Sequence, residues 1–163
     1  LVLCGCDAGA GGGTEGGPGS KAGAEDKVAQ VIAELDRICR EQTVYMVGPE
    51  KGARLAELVR SRKPAVVVEC GTALGYSGLW IGRELEKLGK GRLITIELDA
   101  DRARQARETF EKAGLSDRVE VRTGVRFERF LGEAQVEGVA LAGGADGTPS
   151  AYPHAGVLTS PIR

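Results

Sequence analysis

The sequence predicts an α/β fold in which helices flank a doubly wound, mostly parallel sheet, and three observations carry that prediction. Short apolar runs rich in β-branched residues, AVVV at 65–68, LITI at 93–96 and VEV at 119–121, read as strands of a buried sheet. Between them lie segments with apolar residues at helical spacing, so strand and helix alternate as they do in sheets built from crossover units. Beyond residue 138 no further Val/Ile-rich run followed by an acidic residue occurs, and the Rossmann-like sheet is expected to be truncated after about three to four strands. A sheet cut short in this way leaves a strand edge uncovered.

The elements follow in order. Residues 1–24 are Gly/Ala-rich (GAGGGTEGGPGSKAGA at 9–24) and too poor in apolar surface to offset their chain entropy, so a disordered tail is expected there. From residue 25 the pattern becomes regular: Val28, Val31, Ile32, Leu35 and Ile38 form one apolar stripe on a helix. A second helix is expected over 51–62 with Leu55, Leu58 and Val59 inward, ending before Pro64, whose ring cannot continue it. Strand 65–68, a turn at 71–77, helix 77–88, strand 93–96, helix 101–113 and strand 119–121 complete a domain spanning 25–124. Residues 125–163 depart from that order. Phe127, Phe130, Leu131 and Ala134 fit one more amphipathic helical turn or two, the remainder is rich in turn formers, and a divergent, poorly ordered segment is expected.

Composition bounds the function. A chain of 163 residues holds one domain with a core, and its formal net charge of -1 gives no broad basic surface for nucleic acid or an anionic membrane. Small-molecule ligands fit better. No run approaches the roughly 18 apolar residues of a membrane span, and the first residues lack a leader's basic start. A cytoplasmic location is expected. Cys4, Cys6, Cys39, Cys70 and the single histidine His154 lack the paired spacing of a zinc site, which leaves reduced thiols as the reading.

The informative segment is VECGTALGYS at 68–77, where the first parallel strand meets its helix, the edge at which such folds bind ligands. Gly71 and Gly75 allow a tight turn and a close approach of ligand to backbone. Their G-x-x-x-G spacing differs from the G-x-G-x-x-G that holds a dinucleotide pyrophosphate, which favours a ligand without phosphates. Glu97 ends the second strand, where an acid accepts hydrogen bonds from ribose hydroxyls. Glu69 ends the first and is placed to meet a cationic group such as an α-amino nitrogen. Strand-end carboxylates also occur as plain solvated residues, and Tyr76 also suits core packing at a helix start. Together the two acids describe a nucleoside with an amino-acid tail.

Four motifs extend this. VGPEKG at 47–52, ECG at 69–71 with GYS at 75–77, RLITIE at 92–97 and GLSDRV at 114–119 closely resemble the catechol O-methyltransferase family of class I S-adenosylmethionine-dependent O-methyltransferases, in order over about 28–124. The resemblance implies that the stretch around Val47 covers the methyl donor, that the 71–77 turn and the Ser77 hydroxyl hold its amino-acid portion, and that Glu97 holds its ribose. Carried over residue by residue, the expected S-adenosylmethionine-binding set is Val47, Glu69, Gly71, Gly75, Tyr76, Ser77, Glu97 and Gly124. The likeness ends at Gly124. Family members continue there with a small or polar residue near the adenine, where this chain has Val125, Arg126 and Phe127.

The resemblance also implies Mg2+, held in the family by a strand-end Asp and a later Asp-Asn pair, with a Lys that takes the proton of the attacking hydroxyl. These ligands find no counterpart in the sequence, so no catalytic or metal residue is assigned; Asp146 receives no role and His154 is expected at the surface. The expected function is methyl transfer from S-adenosylmethionine to a hydroxyl of a catechol-like small molecule, with this chain incomplete and weakly active or inactive. A non-catalytic donor-binding or regulatory protein stays open. So does an NAD-dependent oxidoreductase, which Glu97 suits and the missing G-x-G-x-x-G disfavours.

Overall fold

The structure, a computed structural model, describes residues 2–4, 19–42, 44, 46–131, 133, 138–143, 150–153 and 156–157. Among them the chain forms β1 (Val2–Cys4), α1 (Gly19–Glu41), α2 (Gly48–Arg62), β2 (Val66–Cys70), α3 (Tyr76–Leu88), β3 (Arg92–Ile96), α4 (Ala100–Lys112), β4 (Val119–Arg122), β5 (Val125–Leu131), β6 (Gly138–Gly143), β7 (Ser150–Pro153) and β8 (Gly156–Val157). Most of the Gly/Ala-rich stretch, 5–18, lies outside the described residues, as do Asp146 and His154.

Local chemistry sets the boundaries. Helix α2 stops where Lys63 turns left-handed (φ 47°, ψ 50°) ahead of Pro64, the Lys63 amide closing onto the Val59 carbonyl at 2.8 Å. Helix α4 starts at Asp99, whose side chain accepts from the Arg102 amide at 2.9 Å, a cap of about 1 kcal/mol.

Strands β2, β3 and β4 run parallel, with Val67 opposite Leu93 and Leu93 opposite Val119. This is the Rossmann-like parallel sheet the sequence predicts, and among the described residues its parallel part has three strands. The far edge of β2 is not left open: β1 pairs with it antiparallel, Val2 opposite Val68, and β8 pairs in turn with β1.

Alternation along the strands sends Val67, Leu93, Val119 and Val121 to one face, where side chains of all four described helices meet them. Val28, Val31 and Leu35 of α1, Val59 of α2, Leu79 and Leu85 of α3 and Phe110 of α4 make this core. Each fully buried aliphatic or aromatic side chain there contributes about 1.5–3 kcal/mol. On the opposite face Val68 and Ile96 pack against Val125, Val139 and Leu141. That face is therefore covered by the β5–β6 pair rather than by a helix among the described residues.

The helical turn expected around Phe127 is instead the strand β5, paired antiparallel with β6 and, beyond it, β7. A register shift between Phe127 and Arg129 is the reason a helical spacing sits in a strand. The bulge absorbs one residue, so Phe127 and Phe130 fall side by side with ring centroids 4.8 Å apart. Strand β6, GVALAG, carries too few β-branched residues to be read as a strand, yet its Val139 and Leu141 are fully buried.

Candidate functional site

The site is built at the carboxyl ends of β2 and β3. The chain leaves β2 at Cys70 and turns through 71–75, with Gly71 at φ +92°, Ala73 at +48° and Gly75 at +92°. The Gly71 and Thr72 amides both donate to the Ile96 carbonyl, at 2.9 and 3.2 Å, which ties the loop to the end of β3. Nothing lies within 4 Å of where a Gly71 Cβ would be, so the loop backbone is open on that side.

Ala73 bears the strain. A non-glycine residue in this conformation costs roughly 1–2 kcal/mol, and its amide donates to Glu97 Oε2 at 2.8 Å. A hydrogen bond to a charged acceptor contributes about 1.5–3 kcal/mol, enough to offset that strain. Glu97 Oε1 accepts from the Asp99 amide at 3.0 Å. Each carboxylate oxygen keeps a further lone pair, so Glu97 can still accept from a ligand.

Glu69 sits on the helix-facing side of β2, at 7% exposure, within a chain of hydroxyls. Ser77 Oγ donates to its Oε1 at 2.5 Å and Thr95 Oγ1 to its Oε2 at 2.7 Å. Thr95 Oγ1 also lies 2.6 Å from Thr72 Oγ1. With the Thr95 proton committed to Glu69, Thr72 must be the donor in that last contact. Burial pushes the Glu69 carboxyl up from its ordinary value, against the hydrogen bonds from Ser77 and Thr95. Burial likewise raises the Tyr76 phenol, whose hydroxyl donates to Asp36 of α1 at 3.4 Å.

In front of this loop lies a cavity of about 290 Å³, lined by Cys39, Val44, Met46, Val47, Lys51, Gly71, Thr72, Ala73, Leu74, Tyr76 and Ser77. Four of the sequence-predicted residues, Val47, Gly71, Tyr76 and Ser77, thus line one cavity. Glu69 stands behind Ser77, and Glu97 holds the loop from beneath without lining the cavity. Gly75 turns away: a Cβ there would lie 2.9 Å from Phe110 Cζ, so its place is in the α3–α4 packing. Gly124, at φ +72° between β4 and β5, is not part of the cavity wall. Sequence reasoning missed Lys51, Thr72 and Thr95. The one polar residue inside LITI at 93–96 is the signal that marks Thr95.

Among the described residues no three His, Cys, Asp or Glu side chains converge as metal ligands, so they do not supply the donor set of a magnesium site. No helix among them is long and apolar enough to cross a membrane.

Residues 68–142 match the family of methyltransferase domains. A catechol O-methyltransferase of Niastella koreensis is 40% identical over 78 residues, 48% of this chain and 34% of that protein. Catechol O-methyltransferase B of Danio rerio is 40% identical over 92 residues, 56% of this chain and 34% of that protein. In fold, the chain is similar to the O-methyltransferase TomG of Streptomyces achromogenes, involved in tomaymycin synthesis and solved in complex with S-adenosylmethionine. There the TM-score is 0.53 at 29% identity, covering 66% of this chain and 50% of TomG. The matched stretch spans about a third of the two catechol O-methyltransferases. Sequence and fold thus converge: the middle of this chain is similar to part of a Rossmann-like methyltransferase domain of the catechol O-methyltransferase type.

Proposed function

We propose that this chain binds S-adenosylmethionine as the donor-binding part of an O-methyltransferase that acts on a hydroxyl of a catechol-like small molecule. The observation that carries the reading is the cavity at the end of β2, where Val47, Gly71, Tyr76 and Ser77 meet in front of the buried Glu69. Val47, with Met46, supplies an apolar cover, the Gly71 backbone stays open to a ligand, and Glu97 keeps acceptor capacity for a ribose.

Methyl transfer is an in-line displacement at the sulfonium carbon, in which alignment of nucleophile, methyl and leaving sulfur is the enzyme's main contribution. The residues described here hold the donor end of that line. The hydroxyl must also lose a proton, and with a pKa near 10 it needs a base or a metal to do so at pH 7. Among the described residues no magnesium donor set converges, and the expected behaviour is donor binding with little or no turnover.

Calorimetric titration of the purified chain with S-adenosylmethionine and, separately, with NADH tests this. Saturable binding of the first alone, weakened about tenfold by Ser77→Ala, supports the reading; binding of NADH alone would overturn it in favour of an oxidoreductase.

A further inference from the structure

Strand β5 stands at the margin of the smaller sheet. Among the described residues it pairs with β6 alone, so its other edge carries unpaired backbone amides and carbonyls. Phe127 lies opposite Leu141 and Phe130 opposite Val139, so the four side chains share the face that packs on the parallel sheet. Leu141 and Val139 are fully buried there, whereas Phe127 and Phe130 stay 36% and 46% exposed. The two rings thus overhang the covered face along the free edge, with the exposed charges of Arg126, Glu128 and Arg129 around them.

The order of residues along that edge is its own complement. It reads Arg126, Phe127, Glu128, Arg129, Phe130. With a second copy laid antiparallel about an axis between Glu128 and Arg129, each Phe127 faces the partner's Phe130 and each Glu128 faces the partner's Arg129. A slip of one residue either way would set Glu128 against Glu128 or Arg129 against Arg129, so charge selects the register over its nearest neighbours. The extra residue that makes the bulge against β6 is present in both copies, which therefore match residue for residue. That bulge also brings both rings of one chain side by side, so the four aromatics of the pair gather on one face. Within one chain the neighbouring Glu128 and Arg129 make only an exposed ion pair at 3.3 Å, which contributes little by itself and leaves both groups able to pair across the axis.

We propose that β5 is a self-association strand, through which two copies of this chain pair antiparallel and join their smaller sheets into one across a two-fold axis. Charges on an edge strand ordinarily ward off foreign strands, and here the same charges admit a second copy. A contact of one seven-residue strand is small beside the roughly 1,000 Å² that a stable interface exceeds, so the dimer is reversible and concentration-dependent. The donor cavity draws its lining from the helix side of the parallel sheet, Cys39 and Tyr76 among it, so this pairing is independent of the donor-binding reading.

The test is sedimentation velocity of the full chain over a range of concentrations, for the parent, Glu128→Arg, Arg129→Glu and the double exchange. The parent should pass from monomer to dimer as concentration rises and stop there, because a two-fold pairing closes on itself. Each single substitution sets like charges opposite each other twice, and should raise the dissociation constant about tenfold or more. The double exchange restores opposite charges and should restore the parent value. An equimolar mixture of the two single variants should form a mixed dimer at least as tight as the parent, since one strand then carries only cations at these two positions and the other only anions. Both side chains are exposed, so thermal midpoints should match the parent and separate lost association from lost folding. A parent that stays monomeric at every concentration, that grows past a dimer, or that dimerises equally well with either single substitution overturns the proposal.

Discussion

Glu97 has two tasks that pull on one substitution. Its carboxylate accepts the amides of Ala73 and Asp99, so it props the loop whether or not a ligand is present. Glu97→Ala is expected to destabilise the chain by about 2–3 kcal/mol in urea unfolding, the loss of charge-assisted bonds at a nearly buried site. Glu69 makes a second residue-level prediction. Its folded carboxyl titrates above the ordinary 4.5, so the folded state holds more protons than the unfolded one just above that pH. Stability from this group is fully present below pH 4.5 and is lost as pH rises through the raised folded value. Glu69→Gln should flatten that decline in urea midpoints recorded from pH 4 to 8; an unchanged slope would show that Glu69 does not cause it. The strand-end position of both acids could be read from sequence, because it needs only the strand pattern. The Thr72–Thr95 hydroxyl pair could not, since it depends on how two segments 23 residues apart fall into register.

At the scale of elements, the helices close in on the sheet through glycines. Gly75 and Gly78 of the α3 start both lie against Phe110 of α4, and a Cβ at either would come within 2.9 Å of its ring. Gly75→Ala adds left-handed strain to that clash. A loss of about 2–4 kcal/mol is expected by thermal or urea unfolding, whereas Gly71→Ala, with open space at its Cβ, should lose only the strain part. The sequence suggested that Gly71 and Gly75 serve one purpose at a ligand, and only the packing separates them. The strands and helices from α2 to β4 were legible because apolar runs and helical stripes there agree with the tertiary structure. Strand β5 was not, because its bulge makes two aromatics at helical spacing share a face.

At the scale of the whole molecule, the described residues form two cores, one on each face of the parallel sheet. The helix side holds most of the buried side chains, and the smaller core joins Val68 and Ile96 to Val125, Val139 and Leu141. Leu141→Ala should cost about 2–5 kcal/mol by the loss of contacts and the cavity it leaves. Its effect should appear first in the near-ultraviolet signal and amide protection of β5 and β6. If it unfolds β2 and β3 in the same step, the two cores form one cooperative unit.

The seam between β1 and β2 joins three register pairs, while that between β2 and β3 joins five. A shorter seam breathes at a smaller free energy than the full unfolding of the sheet. Amides of β2 that bond toward β1 should therefore take up deuterium sooner than those that bond toward β3, giving one strand a fast side and a slow side. The fast side is where another stretch of polypeptide, from this chain's own kind or elsewhere, could exchange places with β1 without disturbing the ligand cavity.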